Sequence, residues 1–418
     1  MKLKLAAFAG ALTLAMFTAS GAMAQSCGDN SGNAATGEPI IIGAITGQTG
    51  PDDFSASTKG AKAYFDCVNA NGGIHGRPIE YIIEDDQWNP EIASQLAAKL
   101  VNDDNAVMLV GSASFVSCGA NAQFFADNNI IDLAGVGVPR ECFFASHIAP
   151  TNAGPRVSMV GALGYAIDEL GAENVVCMTT NIPGAGDWSC EGLEAAAEEL
   201  GITSNSILMD PATGDFTSVV LQAASYGPDT VVLGFPKGLT IPILAAAEEQ
   251  GLNQSINWTS AASAYDLTVP DTIGEGWDKA FYANMEFNDL NSDGEDNQNW
   301  LAVMDAYANA DDPRDTFAQA GYLAARIAEQ ALNTLEADAI NRDNVTAAVQ
   351  GVEGFESDIF CTPWYFADGL GRNNANWHTR MAVADGGEWT VISECAPSPD
   401  PQLDDVRAYE AENGLGAM

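Results

Sequence analysis

From residue 39 onward, short apolar runs alternate with longer stretches whose apolar positions recur at helical spacing. Ile40-Ile41-Ile42-Gly43-Ala44-Ile45 predicts a strand buried on both faces, and 55–70 a helix with Tyr64, Phe65 and Val68 on its apolar side. Asn71-Gly72-Gly73 stops that helix. Residues 79–84 form the second strand. Pro90 opens a helix over 90–103, its fixed φ and absent N–H suiting a first turn. Strands at 106–110 and 129–133 follow. Beyond Pro150 the pattern repeats: helix 153–170, strand 174–179, helix 189–200, strand 206–209, helix 216–226, strand 230–234, helix 240–250 and strand 256–259. A strand at 280–286 precedes helices 297–309, 314–336 and 341–350, then two antiparallel strands at 380–384 and 389–392. The segment from Cys395, rich in Pro and Asp, reads as a surface arm. Apolar strands alternating with helices at this spacing mean parallel sheets covered on both faces. The chain therefore reads as two α/β lobes that share late segments and can close like a hinge.

The composition narrows the class. The chain has 418 residues, 57 acidic against 16 basic, for a formal net charge of -41, yet 47% of it is hydrophobic. An acidic disordered chain lacks that apolar surface. A field this negative, with no basic stripe, repels phosphates and excludes nucleic acid as a partner.

The N-terminus reads as an export signal. Lys2 and Lys4 precede an apolar run from Leu5 to Phe17, and Ala22-Met23-Ala24 supplies small residues for cleavage after residue 24. The run is too short to span a bilayer, and no later stretch reaches 18 apolar residues. Residues 25–38 then form a polar linker. Cys27 just after the signal offers a lipidated N-terminus as an alternative to ordinary cleavage, and either route exports the protein to a periplasmic or extracellular location. All eight cysteines lie beyond Ala24, consistent with an oxidising compartment. Local pairing joins Cys118 with Cys142, Cys177 with Cys190, and Cys361 with Cys395. Cys27 and Cys67 are left bonded to each other, or with Cys67 free and buried if Cys27 is acylated.

No catalytic constellation is present: the sequence has no GxSxG, HExxH, GxxxxGK[ST] or GxGxxG, and its three histidines are scattered. No cofactor is implied. Asp289, Asn291 and Asp293 have the opening spacing of a calcium loop, but Trp300 stands where the bidentate acid belongs, so an acidic turn is the simpler reading. Loops at strand C-termini carry more information, because ligands of α/β sheets collect there. The junctions 46–51, 111–117, 135–139, 183–188 and 234–236 are of this kind. Phe54, Trp88, Phe115, Trp188, Phe235 and Tyr265 near them are candidate walls of a solute cleft.

Several stretches carry a family resemblance: Ile41-Ile42-Gly43-Ala44-Ile45-Thr46-Gly47, Asn69-Ala70-Asn71-Gly72-Gly73-Ile74-His75-Gly76-Arg77-Pro78-Ile79, and Glu84-Asp85-Asp86 with Asn89-Pro90. In these, and more weakly through 39–392, the chain resembles the type I periplasmic substrate-binding proteins, in their branched-chain amino acid (leucine-binding) branch. The resemblance implies an α/β fold of two doubly wound parallel-sheet lobes joined by three hinge crossings, near 149–154, 287–290 and 351–358. Lobe 1 would comprise 39–150 plus 290–352, lobe 2 153–287 plus 358–394, with 395–418 an acidic tail. It implies a monomeric protein without a catalytic step, which captures an amino acid or related small organic solute for an ABC-type membrane permease.

Leucine binders hold the ligand carboxylate with Ser/Thr-rich turns after the third and fourth strands and meet the ammonium with an acid in the second lobe. The corresponding residues here are Ser114 and Ser117 around Phe115-Val116, then Gly137 and Val138 with amides but no hydroxyl, and Asp266 as the nearest acid. An extracellular sensor domain working with a separate signalling partner is the alternative within binding. A secreted enzyme is the alternative outside it.

Overall fold

The computed structural model describes residues 26–212, 214–367, 372–373 and 377–415. The expected signal peptide lies outside these residues. β1 (Ile40–Thr46) pairs in parallel with β2 (Ile79–Asp85) and, on its other side, with β3 (Met108–Val110) and β4 (Ala113–Ser114). β5 (Asp132–Leu133) and β6 (Val136–Gly137) continue the sheet beside β3 and β4. The third and fourth expected strands are thus each broken in two, and the second half of each carries the chain toward the cleft.

The second sheet repeats this winding. β7 (Asn174–Thr180) lies between β8 (Thr203–Met209) and β9 (Thr230–Gly234), followed in parallel by β10 (Asn257–Ser260) and β11 (Phe281–Met285). β12 (His378–Asp385) and β13 (Glu388–Val391) then add antiparallel strands at the edge. Their two-residue turn is Gly386-Gly387, both at positive φ, as a hairpin of this length demands.

The chain crosses between the sheets three times: after β6, after β11, and on the way to β12. Between the last two crossings, helices Glu295–Tyr307, Thr316–Asn333 and Arg342–Gln350 return to the first lobe. Helix Thr316–Asn333 lies against helix Ala56–Ala70 so closely that a Cβ on Gly321 would sit 1.7 Å from the Ser57 carbonyl oxygen. Side-chain caps fix several helix starts. Asn89 accepts from the Glu91 and Ile92 amides ahead of Pro90, and Asp315 accepts from the Ala318 amide at 2.9 Å. The helix expected over 90–103 ends at Ala98 and widens into a π turn over Lys99–Asp103.

At the N-terminus the disulfide alternative forms, and at the C-terminus an expectation is corrected. Cys27 and Cys67 form a disulfide, so the Cys27 sulfur is not available to carry a lipid. The Cys118–Cys142, Cys177–Cys190 and Cys361–Cys395 bonds form as read from the sequence. The C-terminal segment is no loose arm. β14 (Ala396–Pro397) pairs with β12, and helix Asp404–Asn413 follows. Leu403 and Val406 are buried against Ala153, Val157 and Trp377, because these apolar positions give the acidic segment one face that must leave water.

Asp132 is fully buried in β5, and that burial pushes its carboxyl up to about 7. The folded state therefore holds this proton over a range in which the unfolded chain releases it. The resulting stabilisation is full below about pH 4 and is lost as pH rises through 7. Asp132→Asn is expected to be more stable than wild type at pH 8, by on the order of 2–4 kcal/mol, with the difference vanishing toward pH 4. Urea titrations of both proteins across that range measure it, and a difference independent of pH would show that Asp132 does not titrate there.

Candidate functional site

The C-terminal ends of the strands from both sheets converge on one cleft, and the lobes touch across it. The Gly238 amide donates to the Asp52 carboxylate at 3.1 Å, and the Arg140 amide to the Gly184 carbonyl at 2.6 Å. These contacts hold a closed arrangement around a small cavity of about 40 Å³. Phe54 and Phe115 line it from the loops after β1 and β4, Val136, Gly137 and Val138 from β6 and its continuation, and Phe317 from the start of helix Thr316–Asn333. The second lobe contributes Thr179 and Thr180 from β7, Ser189 from helix Gly186–Leu200, Pro236 and Ser263 from the loops after β9 and β10, and Glu286 from the end of β11.

The aromatic wall is a continuous stack. Trp88 lies 4.4 Å from Phe115 and 5.6 Å from Phe54 between ring centroids, and Phe54 is 5.2 Å from Phe317. Trp88 forms the layer behind the cleft, with its indole N–H donating to the Asp52 carbonyl at 3.2 Å. Gly137 is gripped at both ends by the Asn152 side chain, whose oxygen accepts from the Gly137 amide at 2.8 Å while its nitrogen donates to the carbonyl at 3.1 Å.

Several residues expected at the site serve other purposes. Ser114 donates to the Asp86 carboxylate and accepts from the Val116 and Ser117 amides, so its hydroxyl is consumed in the turn that leads into helix Ser117–Asp127. Ser117 accepts from the Asn121 side chain at 3.1 Å, and Val116 is half-buried against the core of the first lobe. Trp188 packs on Phe143 and Phe144, away from the cleft. Phe235 is fully buried among Leu239, Ile243 and Trp258. Tyr265 and Asp266 line an adjoining recess.

Asp266 is no free acid. Burial would raise its pKa, but hydrogen bonds from Lys237 and Thr268 outweigh it and hold the carboxyl below the usual range. The Asp289, Asn291 and Asp293 loop does not form a cation cage. Asp289 turns back to accept from the Asn291 amide at 2.9 Å, and among the described residues no group of three or more His, Cys, Asp or Glu comes together to hold a metal.

The acid that reaches the cleft is Glu286. Burial pushes it up to about 7, opposed by hydrogen bonds from the Asn152 side chain and the Gly154 and Ala153 amides and by the charge of Arg372. It follows β11 directly, so the strand-end rule that picks out Phe115 and Gly137 applies to it equally. Phe317 carries no such signal: it opens a helix that reaches the cleft only through the return crossing. The arrangement can enclose a small molecule between ring faces and a polar wall. It offers no nucleophile with an adjacent base.

The comparisons fit this geometry. A solved structure described as a fatty acid ABC transporter substrate-binding protein from Thermomonospora curvata superposes with a TM-score of 0.76 at 19% identity, covering 94% of this chain and 99% of that one. An amino acid binding protein of Pseudomonas aeruginosa is 23% identical over 235 residues, 51% of this chain and 58% of that protein. A chemotactic signal transduction system substrate-binding protein, BasB, of Halobacterium salinarum is 26% identical over 100 residues, 23% of this chain and 24% of that protein. The chain thus matches about half of the first of these curated relatives and a quarter of the second. The model of the periplasmic binding protein family matches residues 39–387, which takes in the first sheet, the second as far as β12, the crossings between them and every wall of the cleft. Two wound lobes closed on an enclosed space, over that whole span, place the chain in the periplasmic binding protein family, whose members bind solutes and are not enzymes.

Proposed function

We propose that the chain is the exported, monomeric capture component of an ABC-type importer, which closes on a small organic solute, an amino acid or a compound of similar size, and hands it to a membrane permease. One observation carries this reading. The strand ends of two parallel sheets meet on an aromatic-walled space that the lobes close from both sides. A solute that contacts both walls binds the closed form better than the open one and so shifts the population toward closure, which is the form a permease would read. Four disulfides accord with an oxidising compartment, and no helix among the described residues is long and apolar enough to cross a membrane. The match to the BasB protein favours a second reading, in which closure is read by a signalling partner.

Native mass spectrometry and thermal shift against amino acids, amides, aromatic acids and amines test the capture reading. One class is expected to add a single mass and raise the melting temperature without being consumed. At a hundredfold excess over Kd the stabilisation is about 2.7 kcal/mol. Turnover of the stabilising compound, or the absence of any adduct across the panel, would refute it. Co-purification with a permease or with a chemoreceptor separates transport from sensing.

A further inference from the structure

The second-lobe wall of the cleft is built to accept hydrogen bonds. Thr179 donates its hydroxyl proton to the Gly234 carbonyl at 2.9 Å, Ser189 to the Ala185 carbonyl at 2.6 Å, and Ser263 to the Phe235 carbonyl at 2.9 Å. A hydroxyl has one proton and a carbonyl can only receive it, so each of these oxygens has only lone pairs left for a guest. Glu286, 6% exposed, adds a carboxyl to the same wall. Thr180 is the fourth hydroxyl there, and one donor does not offset three acceptors and an acid. Asn152 spends its amide on Gly137 and on Glu286 itself.

The opposite wall, formed by Phe54, Phe115, Val138 and Phe317, is apolar. A recess beside the cleft shares Pro236, Ser263 and Phe317 with it and gathers Asp52, Asp53, Asp266 and Asp315 around a single Lys237. A carboxylate placed against the second-lobe wall would meet lone pairs and negative charge and lose its hydration without replacement. A cation would gain on both counts, and the charge of -41 raises its concentration near the mouth.

We propose that the cleft selects an organic cation, a protonated amine on a compact apolar body, with its N–H groups on Glu286 and the three committed hydroxyls and its body against Phe54, Phe115 and Phe317. The proposal rests on the solute-capture reading and narrows its substrate class.

Isothermal titration of the full chain with primary amines from butylamine to 2-phenylethylamine, each beside the carboxylate of the same skeleton, tests it. At least one amine is expected to bind ten times or more tighter than its matched acid. Glu286→Gln should weaken that amine at least tenfold. Thr179→Val, which keeps the shape and removes one acceptor, should weaken it about threefold or more and guards against a folding defect in the first variant. A carboxylate that binds as well as its matched amine, or amine affinity unchanged in both variants, overturns the proposal and leaves solute capture standing. Failure of every amine and acid to bind counts against both.

Discussion

Asp400→Ala is expected to cost about 3–5 kcal/mol of stability, the usual penalty for stranding a buried charge. Arg156 and Asp400 form a two-pronged pair, Nε to Oδ2 at 2.7 Å and Nη2 to Oδ1 at 2.8 Å, with the side chains only 8% and 1% exposed. The remaining Arg156 nitrogen donates to the Trp188 carbonyl at 3.2 Å. Without Asp400 the guanidinium keeps one weak partner and cannot reach water. Its stem fills the space over Gly192, where a Cβ would lie 2.6 Å from Nε, so it cannot swing aside. At roughly 2 °C per kcal/mol for a chain of this size, the melting temperature should fall by about 6–10 °C. The Arg156→Met, Asp400→Leu double variant should recover most of the loss, because apolar residues of similar volume replace a buried pair at little cost. An Asp400→Ala protein within 1 kcal/mol of wild type, a threshold set by the exposed-pair range, would mean that the C-terminal segment does not brace helix Pro155–Leu170.

Phe115→Ala and Trp188→Ala should separate binding from folding. Phe115 lines the cleft and is stacked on Trp88 and Phe54. Truncating an aromatic anchor of this kind typically costs about 2 kcal/mol or more of binding, roughly 30-fold in Kd. Trp188 is 4% exposed and packs on Phe143, Phe144 and Arg156, outside the cleft. Its removal leaves a cavity worth about 3–5 kcal/mol, and solute affinity should change less than threefold. Calorimetric titration and urea unfolding of both variants measure the two effects. If Trp188→Ala lost affinity and kept its stability, the assignment of the two rings would be reversed.

The amino-acid sequence by itself determined the alternation of strands and helices, the repeat of one α/β winding after Pro150, and the family. Runs such as Ile40 to Ile45 have no polar position to turn toward water, so a buried parallel strand is the arrangement that satisfies them. Local pairing also found three disulfides, because partners separated by 13, 24 and 34 residues close short segments that secondary structure already folds back. The cleft was legible in part. The strand-end rule identified Phe54, Phe115, Gly137 and Val138, which line it.

Only the tertiary structure decided which polar groups are free. Ser114 and Asp266 have the right chemistry in the right region, but Asp86 and Lys237, which are distant in sequence, consume them. Phe317 enters the cleft and Trp188 leaves it because helices returning through the crossings set their directions. A side chain at a strand end has several rotamers open to it, and what selects one is packing against elements up to hundreds of residues away, as Phe317 packs on Phe54. Pattern along the chain fixes what must be buried; the assembled lobes fix what each polar atom is left to do.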